Sequence, residues 1–229
     1  LLAKHTFVPQ TRSHHPNYLA LSAGGKGGAY GAGYLKGWSA RGDRPDFDLV
    51  TGVSAGALIA PFAFVGSRVD DQLTSFFQDG LANRLDSRNP LLTSVFGQSI
   101  YPAGPLESLI ALEIDNDLID QVAVRHRAGG GVIWNMGAIA AADSPKRYEL
   151  FRRVLRASAS IPAIFPPTQI DSLSNTQELH ELHVDGGTIR QLLFLPDAAM
   201  AGVVGRDLLP VVAPNLFVIV NQDIEPNFE

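Results

Sequence analysis

The chain contains no cysteine, which excludes disulfides, a thiol nucleophile, and zinc or iron–sulfur centres built on thiolates. An excess of positive charge is also lacking. Lys and Arg number 18 against 23 Asp and Glu, a formal charge of -5, so there is no electrostatic footprint for a nucleic-acid partner. No stretch of 18 apolar residues is present to span a bilayer, and the opening LLAKHTFVPQTRSHHP has no signal-type apolar run. Charged residues make up only 18% of the 229 positions while hydrophobic ones make up 45%. That balance predicts a soluble, core-rich protein rather than a disordered one.

What is present is organised around glycine. Residues 1–17 are polar and rich in His and Pro, and read as an N-terminal arm; residues 18–229 read as one domain. Tyr18–Ser22 is a short apolar run ending at Gly24, Gly25, Gly27 and Gly28, after which Tyr30, Tyr34 and Trp38 recur on one side of a helix. Phe47–Thr51 repeats the pattern as a strand leading into Gly52-Val53-Ser54-Ala55-Gly56, and Ala57–Val65 is apolar enough for a buried helix. Strand, glycine turn and helix in succession predict α/β layering. Further along, Val69–Asp79, a segment opened by Pro105, and Lys146–Ala157 carry helical spacing. Val122–Val124, Val132–Trp134, an apolar run into Asp185, and Leu216–Val220 read as strands.

Three of these turns can carry chemistry. A serine between glycines, after an apolar strand and before an apolar helix, fits a tight turn that exposes its hydroxyl at a helix N-terminus, which makes Ser54 the first-choice nucleophile over an ordinary turn. The Gly24–Gly28 loop has the same strand-to-helix placement. Its amides can stabilise an oxyanion or cradle phosphate, but neither GxxxxGK[ST] nor GxGxxG spacing is present. Lys26 can orient an anionic substrate or face water. Asp185, entering Gly186-Gly187, reads equally as a rigidly held carboxylate and as an ordinary Asp-Gly turn. His180 and His183 lack the His-Glu-x-x-His spacing of a metal site, so packing or surface roles are their default.

In combination, LALSAGGKGGAYGAGYLKGW, TGVSAG and HVDGGT, with ASASIPAIFPP before the last, resemble the patatin-like phospholipases, lipid acyl hydrolases, in a bacterial form. The resemblance implies a three-layer α/β fold with a central, mainly parallel sheet flanked by helices. It implies Ser54 as nucleophile and Asp185 as base in a dyad without histidine, Gly24, Gly25 and Gly27 in the oxyanion loop, and no metal or cofactor. It also implies a lipid or small ester as substrate, phospholipid or lysophospholipid foremost, reached through peripheral membrane contact. Phe96, Ile100, Ile164 and Phe165 are candidates for lining an acyl channel, and Lys26 for contacting substrate. The chain departs from the family pattern at Ala23, where the loop usually has its first glycine, and at Gly27, where it usually has a basic residue. These departures motivate a second expectation, a lipid-binding or scaffold protein of the same fold with weakened catalysis.

Overall fold

The computed structural model describes residues 15–77, 103–127, 131–132, 136–162, 164–174, 177–188, 191–193 and 213–221. Strands β1 (Asn17–Leu21), β2 (Leu49–Gly52), β3 (Gly131–Val132) and β6 (Asn215–Ile219) form a sheet in the order β3-β2-β1-β6. All three pairings are parallel, with Leu19 opposite Val50 on one side and Phe217 on the other. Tyr18, Leu19, Ala20 and Leu21 are buried at consecutive positions. Because successive side chains point to opposite faces, an unbroken buried run means that both faces are covered, the condition for a parallel sheet between helical layers. This is the mixed α/β, sheet-centred architecture expected from the order of elements. β4 (Thr168–Ser174) and β5 (Gln177–His183) form a separate antiparallel hairpin.

The helices are α1 (Gly28–Arg41), α2 (Ala55–Val65), α3 (Asp70–Ser75), α4 (Ala103–Glu113), α5 (Asn116–Arg127), α6 (Met136–Ala141) and α7 (Arg147–Ser158). All eleven residues of α2 are buried, so this helix is the centre of the core, with Phe62 and Phe64 among its fully enclosed side chains. Among the described residues no helix is long and apolar enough to cross a membrane.

One expected strand is a helix instead. Val122–Val124, expected as a strand, lies in α5. Leu118, Ile119, Val122 and Ala123 are buried together, a helical spacing, and the Asp115 carboxylate accepts the Leu118 N–H at 2.8 Å near the helix start. In α1 the aromatic stripe runs from solvent to core: Tyr30 and Tyr34 are 61% and 47% exposed, whereas Trp38 packs against the core. The buried side consists of Gly28, Gly31, Ala32 and Leu35, and at Gly28 and Gly31 α1 lies too close to its neighbours for a side chain. A Cβ on Gly31 would sit 2.3 Å from Asn221 Oδ1 and 3.1 Å from Ile59 Cδ1.

Gly33 and Gly37 are different, since a Cβ at either position meets nothing within 4 Å. Each sits inside α1, where glycine costs about 0.5–1 kcal/mol relative to alanine. Gly33→Ala and Gly37→Ala are each expected to raise the thermal unfolding midpoint by about 2–4 °C per kcal/mol gained, read by circular dichroism.

Candidate active site

The site is built where three parallel strands end. β2 runs through Gly52 into a turn whose apex, Ser54, has φ 53° and ψ -120°, and it is the one non-glycine residue with positive φ among those described. The flanking glycines are required by space. A Cβ on Gly52 would stand 2.3 Å from the Gly56 carbonyl oxygen, and one on Gly56 would stand 2.4 Å from that of Leu21 and 2.6 Å from that of Ser22. The chain therefore doubles back on itself while pressing against the end of β1. The Ser54 carbonyl accepts the Ala57 and Leu58 N–H groups at 2.9 and 3.2 Å, which starts α2. Its hydroxyl makes no cap to that helix; it donates to Asp185 Oδ2 at 2.5 Å.

Asp185 follows β5, but the expected apolar strand before it is an exposed hairpin: Leu182 and Val184 are 70% and 41% exposed. Tight holding of the carboxylate comes from elsewhere. The Asp185 N–H donates to the Ser160 carbonyl at 2.8 Å, the Thr188 hydroxyl donates to the Asp185 carbonyl at 2.7 Å, and the Gly187 N–H donates to Oδ1 at 2.5 Å. The Asp-Gly turn and the rigidly held carboxylate are thus one arrangement. Ser54 and Asp185 are both buried. Burial pushes the Asp185 carboxyl above its ordinary range, and the hydrogen bonds from Ser54 and then Gly187 oppose that rise only in part.

The glycine loop leaves β1 and closes a short 3-10 turn, with the Gly27 N–H donating to the Gly24 carbonyl at 2.8 Å. That bond commits the Gly27 amide, so the donors left at the open start of the turn precede it. Gly25 has φ +51°, and a Cβ on Gly24 would lie 2.1 Å from the Asn221 carbonyl oxygen. The loop abuts both other turns: a Cβ on Gly28 would lie 3.0 Å from Ala55 Cβ, and one on Gly187 would lie 3.2 Å from Ala23 Cβ. Lys26 is exposed beside it.

Two residues that the sequence reading passed over hold this loop. Asn221 donates its backbone N–H to Ser22 Oγ and its side-chain amide to the Ser22 carbonyl, both at 2.8 Å. Gln191 accepts the Ala23 N–H on its carbonyl at 2.8 Å and donates from Nε2 to the Gly187 carbonyl at 2.7 Å, bridging the first and third turns. Asn221 was findable in principle, since it follows the apolar strand β6, and sites in open parallel sheets lie outside the carboxyl ends of strands.

The remaining candidates are placed differently. Phe165 belongs to the buried core and Ile164 packs against it. Phe96 and Ile100 lie outside the described residues. An apolar cavity of about 80 Å³ lies beside the Ser54 turn, bordered by Val50, Gly52, Ala57, Pro61, Leu155 and Ser158. His180 faces its cross-strand partner Asp171, Nδ1 to Oδ1 at 2.7 Å, on the exposed hairpin. No group of three or more His, Asp or Glu able to hold a metal occurs among the described residues.

The family model for patatin-like phospholipases matches residues 19–196, a span that includes all three turns. No curated protein matches the chain.

Proposed function

The chain belongs to the patatin-like phospholipase family, hydrolases acting on lipid esters, and on that premise we propose that Ser54 and Asp185 are its catalytic dyad, cleaving phospholipid or lysophospholipid carboxyl esters. The observation that carries this reading is the 2.5 Å hydrogen bond from a strained serine hydroxyl to a buried carboxylate. Asp185 takes the Ser54 proton as Oγ attacks the ester carbonyl carbon. The amides of Gly24, Gly25 and Lys26, ahead of the bond that occupies Gly27, stabilise the oxyanion. Collapse of the tetrahedral species breaks the bond to the alcohol, which leaves with the proton held by Asp185. Water then gives a proton to Asp185 and attacks the acyl-serine, releasing the fatty acid and restoring both residues.

A fluorophosphonate tests the nucleophile directly. The expected result is one adduct per chain on Ser54, found by peptide mass spectrometry and absent from Ser54→Ala and heat-denatured protein. Folded protein that takes no label overturns the reading and leaves lipid binding without turnover, which vesicle binding then measures. Because Asp185 must be ionised to act as base and its carboxyl is raised by burial, labelling slows as pH falls. The midpoint of that acid limb is expected above the value of an ordinary aspartate carboxyl. A limb at or below the ordinary value would remove Asp185 from the role.

A further inference from the structure

The strained serine makes a third contact that the dyad does not account for. Its backbone N–H donates to Ser158 Oγ at 3.1 Å, across 104 residues of sequence. Ser158 is the last residue of α7, and its hydroxyl also borders the Asp185 turn, since a Cβ on Gly186 would lie 3.8 Å from that oxygen. Two residues further on, the Ser160 carbonyl accepts the Asp185 N–H at 2.8 Å. That residue is itself pinned, with its hydroxyl bonded to the Arg156 carbonyl at 2.9 Å and within 3.0 Å of Thr168 Oγ1. The end of one helix therefore holds the amide of the nucleophile and the amide of the base.

From this geometry we infer that the terminal turn of α7 is a clamp setting the Ser54–Asp185 distance, and that Ser158 is the positioning residue acting on the nucleophile. The inference rests on the dyad reading above. Ser54 is buried, so its N–H needs an acceptor within the protein. A φ of 53° is disfavoured for a residue with a side chain and persists only where the surroundings enforce it. The Ser158 hydroxyl supplies both needs. It also withdraws the Ser54 amide from the oxyanion, leaving that task to the glycine loop. Without the hydroxyl the turn relaxes, and Oγ spends less time within reach of Asp185.

The test compares intact parent, Ser158→Ala and Ser158→Thr in fluorophosphonate labelling and ester turnover. Threonine keeps the hydroxyl, and Ser158 borders an apolar cavity. Ser158→Ala is expected to lower kcat and the labelling rate by roughly 10- to 100-fold, the range for a misplaced reacting group, with KM changed less than threefold on that same scale. Ser158→Thr is expected to recover most of the loss. Should Ser158→Ala fail to fold, Ser158→Cys, whose sulfur is a poor acceptor, takes its place under the same criteria. Labelling of the alanine variant at the parent rate overturns this inference alone, as does a loss expressed in KM or a threonine variant as slow as alanine. A parent that takes no label overturns the dyad reading as well.

Discussion

Replacing Ser54 with alanine is expected to lower ester turnover by roughly 10⁴-fold or more, the scale seen when a serine nucleophile is removed from a hydrolase. Asp185→Asn is expected to come close to the same loss, because asparagine cannot take the hydroxyl proton. Its Oδ1 can still accept the Gly187 N–H and its Nδ2 would donate to Ser54 Oγ, reversing the direction of the 2.5 Å bond. The double variant is expected to be no slower than the worse single one, since a nucleophile and its base act as a unit. Additive losses would mean that the two residues serve separate steps.

Stability is expected to move the other way for Asp185→Asn. The folded carboxyl titrates above its unfolded value, chiefly because burial disfavours its charge. Between the two values the folded state binds more protons than the unfolded one. Stability from this group is therefore present below the unfolded value and is lost as pH rises through the raised folded value. Above the raised folded value the parent carries the cost of a buried charge and the asparagine variant does not, so its unfolding midpoint should be the higher there. The advantage should vanish in acid. Urea unfolding of both proteins at neutral and acidic pH reads this, and a variant destabilised at neutral pH would show that the ionised carboxylate is a net structural asset.

Gly56→Ala carries the largest expected effect on folding. A Cβ there would lie 2.4 and 2.6 Å from the carbonyl oxygens of Leu21 and Ser22. Both are backbone atoms at the end of the central strand, which cannot swing aside as a side chain can. Either α2 withdraws from β1 or the nucleophile turn opens, and both disrupt the main core. A loss of about 4–5 kcal/mol or more is expected, in the exceptional class for single substitutions and comparable to the whole stability of many domains. Recovery in inclusion bodies, or a large fall in the urea midpoint, is the readout. Gly33→Ala, where a Cβ meets nothing, is the matched control. If the two variants unfold alike, close approach of α2 to β1 is not what requires glycine at position 56.

Much of this was written in short stretches of sequence. The glycine-flanked serine turn of GVSAG, the burial of α2 and the parallel strands on either side of the first glycine loop follow from turn residues and from apolar patterning, which act over a few residues. The helix α7 was legible for the same reason, since Phe151, Val154 and Leu155 lie on one buried stripe. The α5 segment misled because two valines flanking an alanine in VAV look like a strand until their neighbours at helical spacing are counted.

Other features belong to the tertiary structure. Ser54 and Asp185 are 131 residues apart, and no local rule selects one carboxylate as the partner of one hydroxyl. Parallel pairing of β1 with β2 and β6 brings Ser22, Ser54 and Asn221 to one end of the sheet, and only there do Ser158, Gln191 and Asn221 acquire roles. Local residues alone specify a glycine-flanked serine turn, a glycine loop and an Asp-Gly turn, because each is marked by turn-forming residues within a few positions. Which groups those turns face was decided by packing alone, because hydrogen bonds between distant residues exist only once the strands are in register and the helices have closed over them.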